Sequence, residues 1–190
     1  MTNIVCKGTR PEGLEKTGAS FVSGKGVRFI ILSAKPYSNV QACELGIDDQ
    51  EWIDKSIIIR REHECTHYYT KKIFGISNNI LHDELIADFI GIYSAFGFYK
   101  AEWFLRFMGV TEGGGNRIGF YTGVLSPKVR QAVRELTKQA ALGLEEWSLS
   151  EEFKSLTACE RIKHMCHIGI DGMVEQIKGG YKYENNDDKE

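Results

Sequence analysis

Two histidines one helical turn apart, followed by two acids at the same spacing, constrain this chain more than any other feature. His63-Glu64-Cys65-Thr66-His67 lies in a stretch of helical character, and Asp83-Glu84-Leu85-Ile86-Ala87-Asp88 follows it. Residues four apart on a helix leave the same face. His63 therefore pairs with His67, and Glu84 with Asp88. Sixteen residues lie between His67 and Glu84. They suffice to end one helix near Gly75, turn through Ser77-Asn78-Asn79 and start an antiparallel return. The two acids interrupt an apolar run, Ile80 to Phe98, and such acids need a buried partner. The pattern predicts a helical hairpin with these four side chains on its inner faces.

Two imidazoles on one helical face can supply two nitrogen ligands to one zinc ion, with Glu64 beside it as proton acceptor. A hydrolytic zinc site takes three protein ligands. The candidates for the third are His82, Asp83 and Glu84. Glu84 is preferred because Asp88 shares its face. Asp88 can then accept the free ring N–H of a ligating histidine, His63 first. His82 projects from roughly the opposite side. The expected load is one Zn2+ per chain, on His63, His67 and Glu84.

His63-Glu64-x-x-His67 with Glu84-x-x-x-Asp88 resembles the active-site signature of the gluzincin metallopeptidases, the thermolysin-like branch of the zincins. The likeness covers about residues 60–91. It implies a zincin-like minimal metallopeptidase domain acting on a peptide or protein substrate. It also implies Glu64 as general base and Asp88 as the orienting carboxylate. Two departures stand out. Arg60-Arg61-Glu62 is more charged than the family's apolar lead-in, and the short chain requires a reduced substrate-binding half. The metzincin pattern does not fit, because its glycine and third histidine positions are Thr70 and Ile73.

Along the chain, residues 1 to 25 carry little regular signal. Val27 to Ser33 reads as a buried strand, Pro36 to Asn39 as a turn, and Asn39 to Leu45 as a second strand. Helices are expected from about Trp52 to Phe74, Ile80 to Phe96 with Asn79 as cap, and Lys100 to Met108. After a loop from Thr111 to Arg117, a helix starts at Ser126-Pro127 and runs to about Trp147. Ser148-x-x-Glu151 and Thr157-x-x-Glu160 fit capping boxes. A last helix runs from about Ala158 to Lys178 and stops at Gly179-Gly180. The outline is α+β: a small N-terminal β-sheet, the paired site helices and a helical C-terminal half. It predicts one domain over residues 1–180, with parts 1–98 and 99–180, and a disordered polar tail over 181–190. The apolar stripe Ile162, Met165, Ile168, Ile170, Met173, Val174 and Ile177 is core or a partner surface.

An oxyanion needs a donor besides the metal. Tyr121, Arg117, His164 and His167 are the candidates, and Tyr121 is placed beside Glu64 in the catalytic set. His164 and His167 are read as packing or capping histidines. Cys65 is read as a small packing residue. Gly113-Gly114-Gly115 is no phosphate loop, since no strand precedes it and no Gly-Lys-Ser/Thr follows.

Net charge is −2 with the signs interspersed, so nucleic acid is not an expected partner. The first residues lack the apolar core of a signal peptide, and no apolar run spans a bilayer, which excludes a membrane partner. Five cysteines without a C-x-x-C pair suit reduced thiols in a cytoplasm. A non-catalytic or regulatory zincin module is the main alternative to a peptidase. A di-iron helical protein ranks lower, because the second Glu-x-x-His unit it needs is missing.

Overall fold

Asp48 opens the longest helix among the described residues. A computed structural model of the chain describes residues 19–24, 27–74, 79–111 and 115–176. In it the Asp48 side chain accepts from the backbone N–H groups of Gln50 and Glu51. Asp49 and Glu51 occupy the first turn of α2 (Asp49–Ile73), and Lys71 and Lys72 occupy the last. Both placements complement the helix dipole. Ile57-Ile58-Ile59 falls inside this helix. Its buried face is Trp52, Ser56, Ile59, Arg60, His63, Thr66 and Thr70, an unusually polar set for a core-facing stripe.

Before α2 the chain forms β1 (Ala19–Gly24), β2 (Val27–Leu32), a 3-10 turn at Tyr37–Asn39 and α1 (Ala42–Leu45). The strands pair antiparallel, Ala19 opposite Leu32 and Gly24 opposite Val27. β2 lies beside α2. Among the described residues these two strands form the whole of the sheet. The α+β expectation is therefore overturned: the fold is mostly helical and carries one hairpin. The strand expected over Asn39 to Leu45 is also corrected. Gln41 and Glu44 form a reciprocal capping box there, and Gly46 closes the short helix at φ +68°. Local capping outweighs the weak strand pattern.

α3 (Ile80–Phe96) is the centre of the molecule. Asn79 caps it by accepting from Leu81 N–H, and Gly97 ends it in the left-handed conformation at φ +76°. Leu85, Ile86, Ala87, Asp88, Phe89 and Ile92 are fully or almost fully buried. α2 lies along one side of it. A Cβ on Gly91 would stand 2.9 Å from the Ile59 carbonyl oxygen. Only glycine lets the two backbones come this close. Ile59 is one turn before His63 and Gly91 one turn after Asp88, so this contact sets the distance across the site.

The remaining helices are α4 (Ala101–Met108), α5 (Arg117–Thr122), α6 (Pro127–Leu149), α7 (Glu151–Ser155) and α8 (Ala158–Glu175). Ser126 caps α6, and the Thr157–Glu160 capping box starts α8. The Ser148 box is not formed. Ser148 lies within α6 and donates to the Glu145 carbonyl, while Ser150 caps α7. Within α8 the backbone kinks at Gly169, φ +63°. α8 packs on α6 and α3, and Ile162, Met165, Ile168 and Met173 of its stripe enter the core. One cluster of buried side chains runs from Tyr37 to Met173. The expected helix stop over residues 75–78, the glycine-rich loop at 112–114, the helix end at Gly179-Gly180 and the tail 181–190 lie outside the described residues. No helix among the described residues is long and apolar enough to cross a membrane.

Candidate metal centre

The two histidines project from α2 and meet the carboxylates of α3. His63 Nε2 and His67 Nε2 face each other at 3.0 Å. Glu84 Oε1 lies 3.4 Å from His67 Nε2, and Glu84 Oε2 lies 3.7 Å from His63 Nε2. Donors bound tetrahedrally to one zinc ion stand about 3.3 Å apart, given bonds of roughly 2.0–2.1 Å. The three groups already hold that spacing, and their chemistry suits the ion. Among the described residues, His63, His67 and Glu84 are the cluster able to hold a metal. Two imidazoles and one carboxylate suit a single ion.

Asp88 is fully buried and is held by three donors. His63 Nδ1 lies 2.6 Å from Oδ1. The Tyr37 hydroxyl donates to the same oxygen at 2.5 Å. Arg117 Nη1 donates to Oδ2 at 2.8 Å. Burial alone would raise the Asp88 pKa, but the Arg117 charge and the hydrogen bonds from His63 and Tyr37 hold it well below the usual carboxylate range. An ionised carboxylate only accepts hydrogen bonds, so the hydrogen on His63 belongs on Nδ1. Nε2 then turns its lone pair toward His67 and Glu84.

Glu84 is held from two sides. Burial pushes its carboxyl up, while the His67 hydrogen bond and the Arg117 charge bring it down to about 2. Arg117 Nη2 donates to Glu84 Oε2, and Nη1 also reaches Tyr37 OH and Ser38 Oγ, each at 3.3 Å. Burial disfavours the Arg117 charge, yet Asp88 and Glu84 keep it firmly protonated.

Glu64 is half-buried on α2 and makes no hydrogen bond or ion pair among the described residues. Tyr121, on α5 with Arg117, is also half-buried. Burial raises its hydroxyl pKa, the Arg117 charge opposes this, and the nearby Glu84 adds to it. Tyr121 and Arg117 thus stand at the edge of the cluster. His164 and His167 lie on α8 and do not join it. His164 stacks on Trp147 with ring centroids 4.6 Å apart, and His167 Nδ1 is 2.7 Å from the Lys163 carbonyl. His82 is buried on the far side, its Nε2 2.9 Å from the Met165 carbonyl. Cys65, read as a packing residue, is exposed.

Two residues of the site are not among the sequence candidates. Tyr37 falls in a stretch that reads only as a turn, and nothing in its spacing relates it to Asp88. Arg60 is part of the charged lead-in, and its charge is the signal. It is 6% exposed and donates to the carbonyls of Ser33, Lys35 and Pro36 at 2.9, 2.5 and 2.8 Å. Arg60 therefore straps the 33–36 segment to α2 and delivers Tyr37 to the centre.

A family model described as a family of unknown function, DUF7005, matches residues 26–176. The chain belongs to this family. The DUF7005 match takes in every residue of the centre, from Tyr37 to Tyr121. No curated protein and no solved structure matches the chain.

Proposed function

We propose that this chain is a zinc-dependent peptidase of gluzincin type, hydrolysing peptide bonds with Glu64 as general base. The observation that carries the reading is the convergence of His63, His67 and Glu84 within 4.8 Å, with Glu64 on the same helix as both histidines. A bound zinc ion would supply Lewis acidity to a water and to the substrate carbonyl. Glu64, half-buried and uncommitted among the described residues, takes the water proton and returns it to the leaving amine. The C–N bond breaks, and an acid and an amine result. Arg117 spends its Nη groups on Glu84, Asp88, Tyr37 and Ser38. Tyr121 is therefore the better donor to the developing oxyanion, and its raised pKa keeps the hydroxyl hydrogen in place at neutral pH.

The substrate is a peptide or protein. The cytoplasm is the proposed compartment, because Cys43, Cys65, Cys159 and Cys166 are free thiols, as suits a reducing environment. The second reading is a metal-holding regulatory module without turnover. The Arg117 bond to Glu84 Oε2 favours it, since that bond occupies one ligand oxygen.

The test is metal analysis followed by a peptide-library assay of the intact chain and Glu64→Gln. About one zinc per chain is expected in both. Removing the general base should cost about 100- to 10,000-fold in turnover. A Glu64→Gln protein that cleaves peptides at the unsubstituted rate rejects the peptidase mechanism. Full zinc loading with no cleavage selects the module.

A further inference from the structure

Tyr37 reaches Asp88 from a turn that is held against α2. The turn is strained: Ser38 and Asn39 sit at φ +52° and +59°, a region non-glycine residues rarely occupy. Strain of this kind persists where the surroundings over-determine it, and it collects at functional sites. The surroundings here are explicit. The Tyr37 N–H donates to Ser56 Oγ at 2.9 Å, Arg60 holds the preceding carbonyls, and Trp52 Nε1 donates to the Val40 carbonyl at 2.8 Å. Trp52, Ser56 and Arg60 follow one another at four-residue spacing along α2, so the strap ends where His63 begins. The Tyr37 ring is wedged edge-on against Phe107, centroids 5.2 Å apart, with the Arg60 and Arg117 guanidinium groups 5.5 and 5.6 Å from its centroid.

We propose that Tyr37 is a positioning residue of the metal centre: its hydroxyl, bonded to Asp88 and 3.1 Å from His63 Nδ1, fixes that carboxylate and, through it, the orientation of the imidazole that aims Nε2 at the metal. The proposal rests on the zinc reading above. A carboxylate held only by a histidine can turn about its own bond. With Tyr37 and His63 on one oxygen and Arg117 on the other, Asp88 has a single orientation, and His63 inherits it. Partners outside the ligand set are commonly worth about 10- to 100-fold in metal affinity.

The test compares zinc affinity, by competition with a chromogenic chelator, in the full chain, Tyr37→Phe and Leu144→Ala. Tyr37→Phe keeps the ring and removes one hydroxyl. Leu144→Ala empties core volume on α6, which supplies no residue to the centre or the strap, so it reports what loss of stability alone does to zinc binding. Tyr37→Phe is expected to bind zinc about tenfold more weakly, and Leu144→Ala to stay within about twofold while its metal-free melting temperature falls. Weakening of Tyr37→Phe by threefold or less overturns the proposal, and so does equal weakening in both variants. Should Tyr37→Phe not fold, the 1H spectrum of the unsubstituted, metal-free chain decides. A slowly exchanging Tyr37 hydroxyl hydrogen supports the bond to Asp88, and a freely exchanging one overturns the proposal. A full chain that takes up no zinc removes the zinc reading and the positioning role together. A full chain that binds zinc beside an indifferent Tyr37→Phe removes the role alone.

Discussion

Arg60 shows how one buried side chain can serve a metal centre without reaching its ligands. Its guanidinium carries the bonds to three carbonyls, and burial lowers its pKa from the ordinary arginine value. Replacing it with methionine keeps most of the apolar stem but leaves the Ser33 and Lys35 carbonyls without this donor, while Pro36 keeps the Asn39 N–H at 3.3 Å. Each unsatisfied buried group costs about 1–3 kcal/mol, and water entering the half-buried strap recovers part of this. Arg60→Met is therefore expected to destabilise the fold by about 2–4 kcal/mol, measured by urea unfolding of the metal-free chain. A loss under about 0.5 kcal/mol, the usual range for a surface change, would show that the strap holds without it. The charged lead-in to His63, a departure from the gluzincin pattern, has its physical reason in this contact.

At the scale of elements, the site depends on how closely α2 approaches α3. Gly91 faces the Ile59 carbonyl, and an added Cβ would lie 2.9 Å from that oxygen and 3.1 Å from Ile59 Cγ2. Neither backbone can yield without moving a helix. Gly91→Ala should then cost about 1–3 kcal/mol by overpacking, although alanine is the better helix former. The same displacement widens the gap between the histidines and Glu84. The check is a melting curve together with zinc affinity: both should fall. An alanine variant that melts higher than the unsubstituted chain would mean that the helices slide freely past each other. His63, His67, Glu84 and Asp88 were legible in the sequence because helical periodicity puts each pair on one face. Their mutual distance was not, because it depends on a glycine contact between residues 32 positions apart.

For the whole molecule, the centre joins the N-terminal strap, α2, α3 and α5. Tyr37, His63, Asp88 and Arg117 each come from a different one of these. A ligand that binds only the folded arrangement stabilises it by mass action, about 4 kcal/mol at a thousandfold excess over its dissociation constant. Removing zinc with a chelator should therefore lower the melting temperature by roughly 8–16 °C for a chain of this size. Differential scanning calorimetry with and without added zinc measures it. A melting temperature indifferent to zinc would mean that these elements are held together by packing alone, with no metal in the native state.

The chain's own pattern determined the helical hairpin, its caps and the residues at its heart. These rest on local rules: four-residue spacing, Asn79 and Gly97 at the ends of α3, and Ser126-Pro127 at the start of α6. The pattern misled where a short apolar segment had to be judged alone. Val27 to Leu32 does form a strand, but Asn39 to Leu45 coils into a turn and α1, because a capping box and a left-handed glycine outweigh a short stretch of strand propensity. Only the tertiary structure decided that Tyr37, Arg60 and Arg117 belong to the centre. Each meets Asp88, or delivers the residue that does, across at least 24 positions of sequence. Contacts of that range leave no period in the chain, because they are set by how buried charge is satisfied once the helices have packed.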